Sequence, residues 1–250
     1  MKIALCFSGQ PRDIDINYPV YKQVILDNND VDVFVHTWFD PENLSRNCAI
    51  PDRVHQIIES DSIDKIKEWY KPKRMVIEKP KTWTRQYEFT DKVFQEGPTW
   101  AKDVEGGIEE GKKYICNITN SMFYSIMMAN LTKEQYSIET ETEYDLVLRC
   151  RFDFVPHMII DFNSLVLGDD EVVCHSTGLP YGMPLDWFSF GATEPMNVLC
   201  GIYNHIKPLV KQSIAEEGWW CNELLVKHHL TNNNIKINHA NMNVIGHKTK

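Results

Sequence analysis

Ile3-Ala4-Leu5-Cys6-Phe7-Ser8-Gly9-Gln10-Pro11-Arg12 opens the chain with an unbroken apolar run and then a polar turn. A short continuous run bounded by turn residues is the pattern of a strand buried on both faces. Such strands belong to parallel sheets covered by helices. Working outward, Tyr18 to Leu26 carries apolar residues at helical spacing (Val20, Val24, Ile25), and Asn28-Asn29-Asp30 stops it. Val31 to His36 is rich in β-branched residues and reads as a second strand, ending at Thr37-Trp38-Phe39. Ile57, Ile58, Ile63, Ile66 and Trp69 suggest helical packing up to Tyr70. Pro72 closes that segment, and Arg74 to Glu78 reads as a third strand. Strand, helix, strand, helix, strand in this order predicts an α/β fold with crossover helices.

Beyond the third strand, Lys79 to Lys113 breaks the rhythm with mixed charge, Gly106-Gly107 and the aromatics Trp83, Tyr87 and Trp100. Long loops in compact domains are uncommon and often functional. A lid and an irregular insertion are both open readings here. Asn117 to Leu131 reads as a central helix with Ile118, Phe123, Ile126, Met127 and Leu131 inward. A strand through Leu148 follows. Glu171–Cys174 and Asp186–Phe190 read as further strands, Thr193 as the cap of a helix from Met196 to Ile206, Trp219–Leu230 as another helix, and Ile235–Asn238 as a last short strand. No internal repeat or low-complexity tract interrupts this order.

Bulk composition narrows the function classes. The chain has 250 residues, 43% hydrophobic and 24% charged, which suits one large globular domain. A net charge of −9 without a long basic run disfavours general binding to a phosphate backbone, so no nucleic-acid partner is expected. Seven cysteines are scattered singly with no CxxC pair, which fits reduced thiols in a cytoplasmic protein. The first apolar run is too short for a signal peptide, and no stretch approaches the ~20 apolar residues of a bilayer span. The sequons at Asn117 and Asn130 are then chance matches.

The clearest chemical signal is Tyr144-Asp145-Leu146-Val147-Leu148-Arg149-Cys150-Arg151-Phe152-Asp153. Charges at the end of an apolar strand are costly to bury and need partners. In open α/β sheets, ligands bind beyond the carboxyl ends of the strands. Alternation puts Arg149, Arg151 and Asp153 on one face of the extended chain. Two guanidiniums suit a diphosphate, and a carboxylate suits a hard divalent cation. A buried Arg–Asp network pinning the sheet is the plainer alternative. Ser8-Gly9-Gln10-Pro11-Arg12 is a second signal: Gly9 lets the backbone approach a ligand, and Arg12 can meet phosphate. The loop is neither GxGxxG nor a Walker loop, which disfavours a classical dehydrogenase or a P-loop kinase. His36-Thr37-Trp38 ends the second strand beside that loop, where Trp38 can stack on a base or pack the rim.

Two carboxylates are candidates for acid–base work. Asp186 precedes Trp187-Phe188-Ser189-Phe190-Gly191, and a carboxylate beside aromatics desolvates and gains basicity. Glu223 follows Trp219-Trp220 on a helix, where the helix dipole alone also favours a glutamate. His228, His229, His239 and His247 read as ordinary surface or core histidines. There is no GxSxG or HExxH.

Taken in order, Ile3–Arg12, Val31-Asp32-Val33-Phe34-Val35-His36-Thr37-Trp38, Tyr144–Asp153, Asp186–Gly191 and Glu223-Leu224-Leu225 resemble small GT-A-type glycosyltransferases. Those occur in surface-polysaccharide clusters of bacteria and in large DNA viruses. The resemblance spans most of the chain apart from residues 79 to 113. It implies a single GT-A-like domain over 1–250, with a Rossmann-like, mainly nucleotide-binding half (1–115) and a metal and acceptor half (116–250) in one continuous mixed sheet flanked by helices. It also implies a nucleotide-sugar donor, a glycan acceptor and a Mn²⁺ or Mg²⁺ ion held by an Asp-x-Asp motif at the end of a central strand. In this chain that place reads Arg151-Phe152-Asp153, so Asp153 is the expected metal ligand and arginine replaces the first aspartate. Of two literal Asp-x-Asp strings, Asp30-Val31-Asp32 lies at the wrong end of its strand and Asp13-Ile14-Asp15 is a lesser candidate.

These readings converge on one expected scheme. Ser8, Gly9, Gln10, Arg12, His36 and Trp38 hold the nucleotide. Arg149 and Arg151 meet the diphosphate, with Arg151 also stabilising the leaving group. Asp186, or secondly Glu223, deprotonates the acceptor. Two rivals are a noncatalytic glycan- or nucleotide-binding protein of the same fold and a nucleotidyltransferase. For the latter, Ser8–Arg12 is a poor version of the glycine-rich basic loop required.

Overall fold

The computed structural model describes residues 1–45, 57–96, 101–102, 104–154, 162, 165, 167–175, 183–185 and 187–240. Strand β1 (Lys2–Gly9) leads into helix α1 (Ile14–Tyr21), which runs on as a wider turn over Lys22–Leu26. Strand β2 (Asp30–Trp38), helix α2 (Ser62–Lys65, extended by a wide turn over Ile66–Tyr70) and strand β3 (Arg74–Glu78) follow. After a short α3 (Val93–Glu96) comes the 33-residue helix α4 (Ile108–Thr140). Strands β4 (Leu146–Cys150), β5 (Glu171–His175) and β6 (Phe188–Gly191) precede α5 (Thr193–Cys200), a tight turn over Gly201–His205, α6 (Ile206–Glu217), α7 (Asn222–Asn232) and strand β7 (Lys236–Ala240).

All seven strands form one sheet in the order β3-β2-β1-β4-β6-β5-β7. Pairs β1–β2, β1–β4, β2–β3 and β5–β7 are parallel. Strand β6 alone runs against both its neighbours, β4 and β5. Six strands therefore present their carboxyl ends to one edge of the sheet, and β6 presents its amino end there. The chain leaves β1 toward β2 and β3, then returns through α4 to the other side of β1 as β4. The C-terminal ends of β1 and β4 are thus a topological switch point, the place where open α/β sheets hold ligands.

Strand alternation divides the core into two layers. Ile3, Leu5, Phe7, Val33, Val35, Leu146, Leu148 and Cys150 face α1 and α2. Ala4, Cys6, Phe34 and Val147 face α4 and, beyond it, α5 to α7. Burial on both faces explains why β1 reads as a continuous apolar run. Phe7 is fully buried and stacks on Phe152 at 4.6 Å and 5°. Burying one such ring contributes about 1.5–3 kcal/mol.

Four sequence expectations change. Helix α4 is longer at both ends, and its inward stripe is Ile115, Thr119, Phe123, Ile126 and Ala129. Leu131 is instead 42% exposed. Charged turns at Glu109–Lys113 and Lys133–Glu139 hid those ends from a purely apolar pattern. The helix expected over Met196–Ile206 divides into α5 and α6, and Thr193 does not cap it: its hydroxyl donates to the Tyr144 carbonyl at 2.8 Å. Ile57 lies outside α2, in an isolated bridge with Ser45. Trp219 and Trp220 precede α7 rather than open it.

Residues 79–92 form a strap laid over α4 and the α6–α7 turn. Trp83 N–H donates to Asn117 Oδ1 (2.9 Å) and the Tyr87 hydroxyl to Asn120 Oδ1 (2.6 Å). Trp220 Nε1 donates to the Glu88 carbonyl (2.8 Å) and Thr90 to the Gly218 carbonyl (2.7 Å). Such bonds explain the loop's unusual length: it replaces secondary structure with side-chain anchors. No helix among the described residues is long and apolar enough to cross a membrane.

Candidate functional site

Gly9 ends β1 with φ of 103°, a backbone state that L side chains rarely adopt. Its neighbours clamp it on both sides. Gly9 N–H donates to Ser125 Oγ of α4 at 2.8 Å, and Thr37 Oγ1 donates to the Gly9 carbonyl at 2.9 Å. The chain then turns through Gln10, whose amide Nε2 donates to the Ser45 carbonyl at 3.3 Å. Gln10 Oε1 accepts from Arg12 Nε (3.2 Å) and Nη2 (3.0 Å). That grip aims the Arg12 guanidinium across the gap between β1 and β4.

On the β4 side, the strand ends at Cys150 and the chain turns over Arg151–Phe154. Phe152 anchors this turn by its stack on Phe7. Asn17 Nδ2 donates to the Phe152 carbonyl at 2.7 Å, and the buried Tyr21 hydroxyl lies against the carbonyls of Arg151 and Phe154. Because the apolar Phe152 points into the core, its charged neighbours Arg151 and Asp153 flank it toward the edge. Asp153 then receives both arginines. Arg151 binds it in a two-pronged fork, Nε to Oδ1 at 2.8 Å and Nη2 to Oδ2 at 2.7 Å. Arg12 Nη1 reaches Oδ2 at 3.2 Å. The Asp153 side chain is 11% exposed, Arg12 16% and Arg151 30%, so the cluster opens through its arginines. Two guanidiniums thus gather at one place on a chain of net charge −9. Forked guanidiniums are the usual partners of phosphate oxygens.

Other expected residues sit differently. Leu148, Cys150, Phe152 and Phe154 all face the α1–α2 layer, so alternation carries on past the strand end, and Arg149 within β4 is 2% exposed. Ser8 is buried opposite His36 in the β1–β2 register. His36 is fully buried, with Nδ1 2.7 Å from Ser125 Oγ and Nε2 2.9 Å from Glu78 Oε2. Burial pulls its pKa down, against the opposing pull of Glu78. Trp38 is 4% exposed and its ring stacks on Tyr124 at 5.5 Å, with the Lys81 ammonium 5.6 Å above. In this geometry Trp38 packs against Tyr124 and Lys81, and His36 is held between Ser125 and Glu78. Glu223 lies in the first turn of α7, half-buried beside the Cys221 thiol, whose pKa is pushed up by burial and by that carboxylate. The α7 start is tied to α4 through Thr119 and Asn222 (2.9 Å). Asp186 lies outside the described residues, as do Trp100, Cys48 and His247.

The literal Asp-x-Asp strings lie at the start of β2 and at the start of α1. Asp32 lies at the amino end of β2, between the Tyr144 hydroxyl (2.8 Å), Lys2 (3.3 Å) and Lys73 (3.3 Å). Burial alone would raise its pKa, but those partners hold it below the usual carboxylate range. Asp13 precedes α1 with φ of 53°, and Asp15 pairs with Lys65 at 2.6 Å.

Asp153, the expected metal ligand, has both carboxylate oxygens met by guanidiniums, Oδ1 by Arg151 and Oδ2 by Arg151 and Arg12. Among the described residues, no three His, Cys, Asp or Glu side chains gather in a metal-binding group. Sequence reasoning missed Ser125 and Glu78. Their signal was available only in part: Thr119, Asn120 and Ser125 put polar groups on the inward stripe of α4, and buried polar groups require partners. Compared with known proteins, the chain matches no family model and no curated sequence.

Proposed function

We propose that this protein is a glycosyltransferase that moves a sugar from a nucleotide-sugar donor to a hydroxyl of a glycan acceptor. One observation carries the reading: Arg12 and Arg151, from the ends of β1 and β4, meet on Asp153 at the switch point of the sheet. An anion-binding pair at that place suits a diphosphate. The continuous mixed sheet supports the GT-A likeness, in which a Rossmann-like half joins an acceptor half.

In this scheme Asp153 holds both guanidiniums in place before the donor arrives. The donor diphosphate then shares them. As the bond from sugar carbon to diphosphate oxygen breaks, negative charge grows on the leaving diphosphate, and the fixed guanidiniums stabilise it. The new bond forms to the acceptor oxygen. Its proton passes to a carboxylate, with Asp186 first and Glu223 second as the proposed base. A Mn²⁺ or Mg²⁺ ion held by Asp153 would add charge neutralisation at the diphosphate.

A noncatalytic nucleotide- or glycan-binding role is the second reading. It is favoured by arginine standing in place of the first aspartate and by the guanidinium partners of Asp153. Turnover separates the two. Incubation with UDP-, GDP-, dTDP- and CMP-sugars, with and without Mn²⁺, is expected to release free nucleotide with one donor family. A protein that binds a donor, but releases nothing from it with any acceptor glycan, is a binding module.

A further inference from the structure

We infer that Glu78, His36 and Ser125 form a buried positioning relay that sets the conformation of the Gly9–Arg12 loop. The relay crosses three elements. Glu78 ends β3, His36 lies near the end of β2, and Ser125 sits in the middle of α4. The contacts run from Glu78 Oε2 to His36 Nε2 (2.9 Å), from His36 Nδ1 to Ser125 Oγ (2.7 Å), and from Ser125 Oγ to Gly9 N–H (2.8 Å).

With a neutral ring, donor and acceptor rules give each bond its direction; the Ser125 hydroxyl also lies 3.4 Å from the His36 carbonyl. An ionised carboxylate only accepts, so His36 Nε2 carries the proton given to Glu78. In a neutral imidazole, Nδ1 is then the acceptor, and the Ser125 hydroxyl donates to it. The Ser125 oxygen keeps a lone pair for Gly9 N–H. Burial favours that neutral ring by lowering the His36 pKa. On the far side, Lys81 Nζ donates to Glu78 Oε1 at 2.6 Å and holds the carboxylate ionised and below its usual pKa, although burial opposes this. The other groups facing the imidazole are the Trp38 ring at 4.8 Å and the Tyr124 ring at 5.6 Å, both edge-on.

Hydroxyl, imidazole and carboxylate stand in the order of a hydrolase triad. The surroundings argue against nucleophilic chemistry. Ser125 is fully buried, and its oxygen is covered by the Gly9 backbone. No substrate carbonyl can approach. What the relay does control is Gly9, whose positive φ starts the turn that aims Arg12 at Asp153. These residues therefore act through the loop. Their effect on ligand binding rests on the nucleotide reading above, whereas their effect on the loop does not.

The test uses the full chain, as wild type, Ser125→Ala and Ser125→Thr. Imidazole ¹⁵N NMR at neutral pH is expected to show His36 with Nε2 protonated and Nδ1 bare. Amide hydrogen exchange is expected to show Gly9 protected in wild type and Ser125→Thr, and exchanging at least about tenfold faster in Ser125→Ala while Leu5 is unchanged. Nδ1-protonated His36, or Gly9 exchange unchanged in Ser125→Ala, overturns the relay. If Ser125→Ala fails to fold, His36→Gln serves instead. It keeps a donor toward Glu78 but cannot order Ser125 as the ring does, and Gly9 must still lose protection. Calorimetry with UDP, GDP, dTDP and CMP adds the functional arm. Where wild type binds one of them, Ser125→Ala, shown folded at the titration temperature, is expected to weaken it about tenfold, and equal affinity overturns the positioning role. Where wild type binds none, the nucleotide reading falls, and the tautomer and exchange results still decide the relay.

Discussion

At Asp153, two guanidiniums converge on one carboxylate that is 11% exposed, and removing the carboxylate takes an ion-pair partner from both. Asp153→Asn keeps the shape and removes that charge. We expect it to lower unfolding free energy by roughly 1–3 kcal/mol in urea titrations. A change within ~0.5 kcal/mol would make the cluster an ordinary surface contact. His36 gives a second residue-scale prediction. Its folded pKa lies below the ordinary value because burial disfavours the charged ring. The unfolded chain therefore binds more protons in the window between the two values. Stability from His36 is fully present above about pH 6.5 and is lost as pH falls from there through the folded pKa, at a slope of up to ~1.4 kcal/mol per pH unit. His175, His228 and His229 shift the same way for the same reason. Urea midpoints that stay flat from pH 6.5 to pH 5 would contradict this. Asp32, held low by Tyr144, Lys2 and Lys73, adds its loss only at more acid pH.

Helix α4 decides how the two halves of the sheet are joined, and its facing can be checked by paired truncations. Phe123 is 1% exposed, so Phe123→Ala should cost about 3–5 kcal/mol. Leu131, which the apolar pattern turned inward, lies on the solvent side, and Leu131→Ala should fall within about 0.5 kcal/mol. Equal costs would mean the helix is rotated. Strand β3 was legible to the residue, Arg74–Glu78, because Pro72 and the strap bracket it. Strand β1 was legible because both its faces are apolar. The ends of α4 were not, since exposed turns carry no apolar period. Helix α6 was missed for a related reason: its polar face and the tight Gly201–His205 turn break the period that joins it to α5. Gly9→Ala tests the loop itself. A Cβ there meets nothing within 4 Å, so the cost, roughly 1–3 kcal/mol, comes from φ alone.

Across the whole molecule, the fold class followed from the order of strands and helices, and the site followed only partly. Arg12, Arg151 and Asp153 were all named from sequence, because charges at strand ends need partners. Their mutual pairing was not legible, since residues 12 and 153 meet only through the β1–β4 register. Arg149 was named with them, and its depth of burial within β4 was not legible from the charge pattern. The scattered cysteines read as reduced thiols, and the described ones are free. Burial pushes Cys174 and Cys200 up to about 11 and Cys150 up to about 12. They should resist alkylation at pH 8 until the chain is denatured. The central claim is that Arg12 and Arg151 form a diphosphate site, and the direct measurement is calorimetric titration of wild type, Arg12→Ala and Arg151→Ala with UDP, GDP and dTDP. The account predicts binding of one nucleotide by wild type and a loss of roughly 10- to 100-fold in each variant, as expected for a charge-assisted bond of about 1.5–3 kcal/mol. A folded wild type that binds none of them, or variants that bind as tightly as wild type, would contradict it.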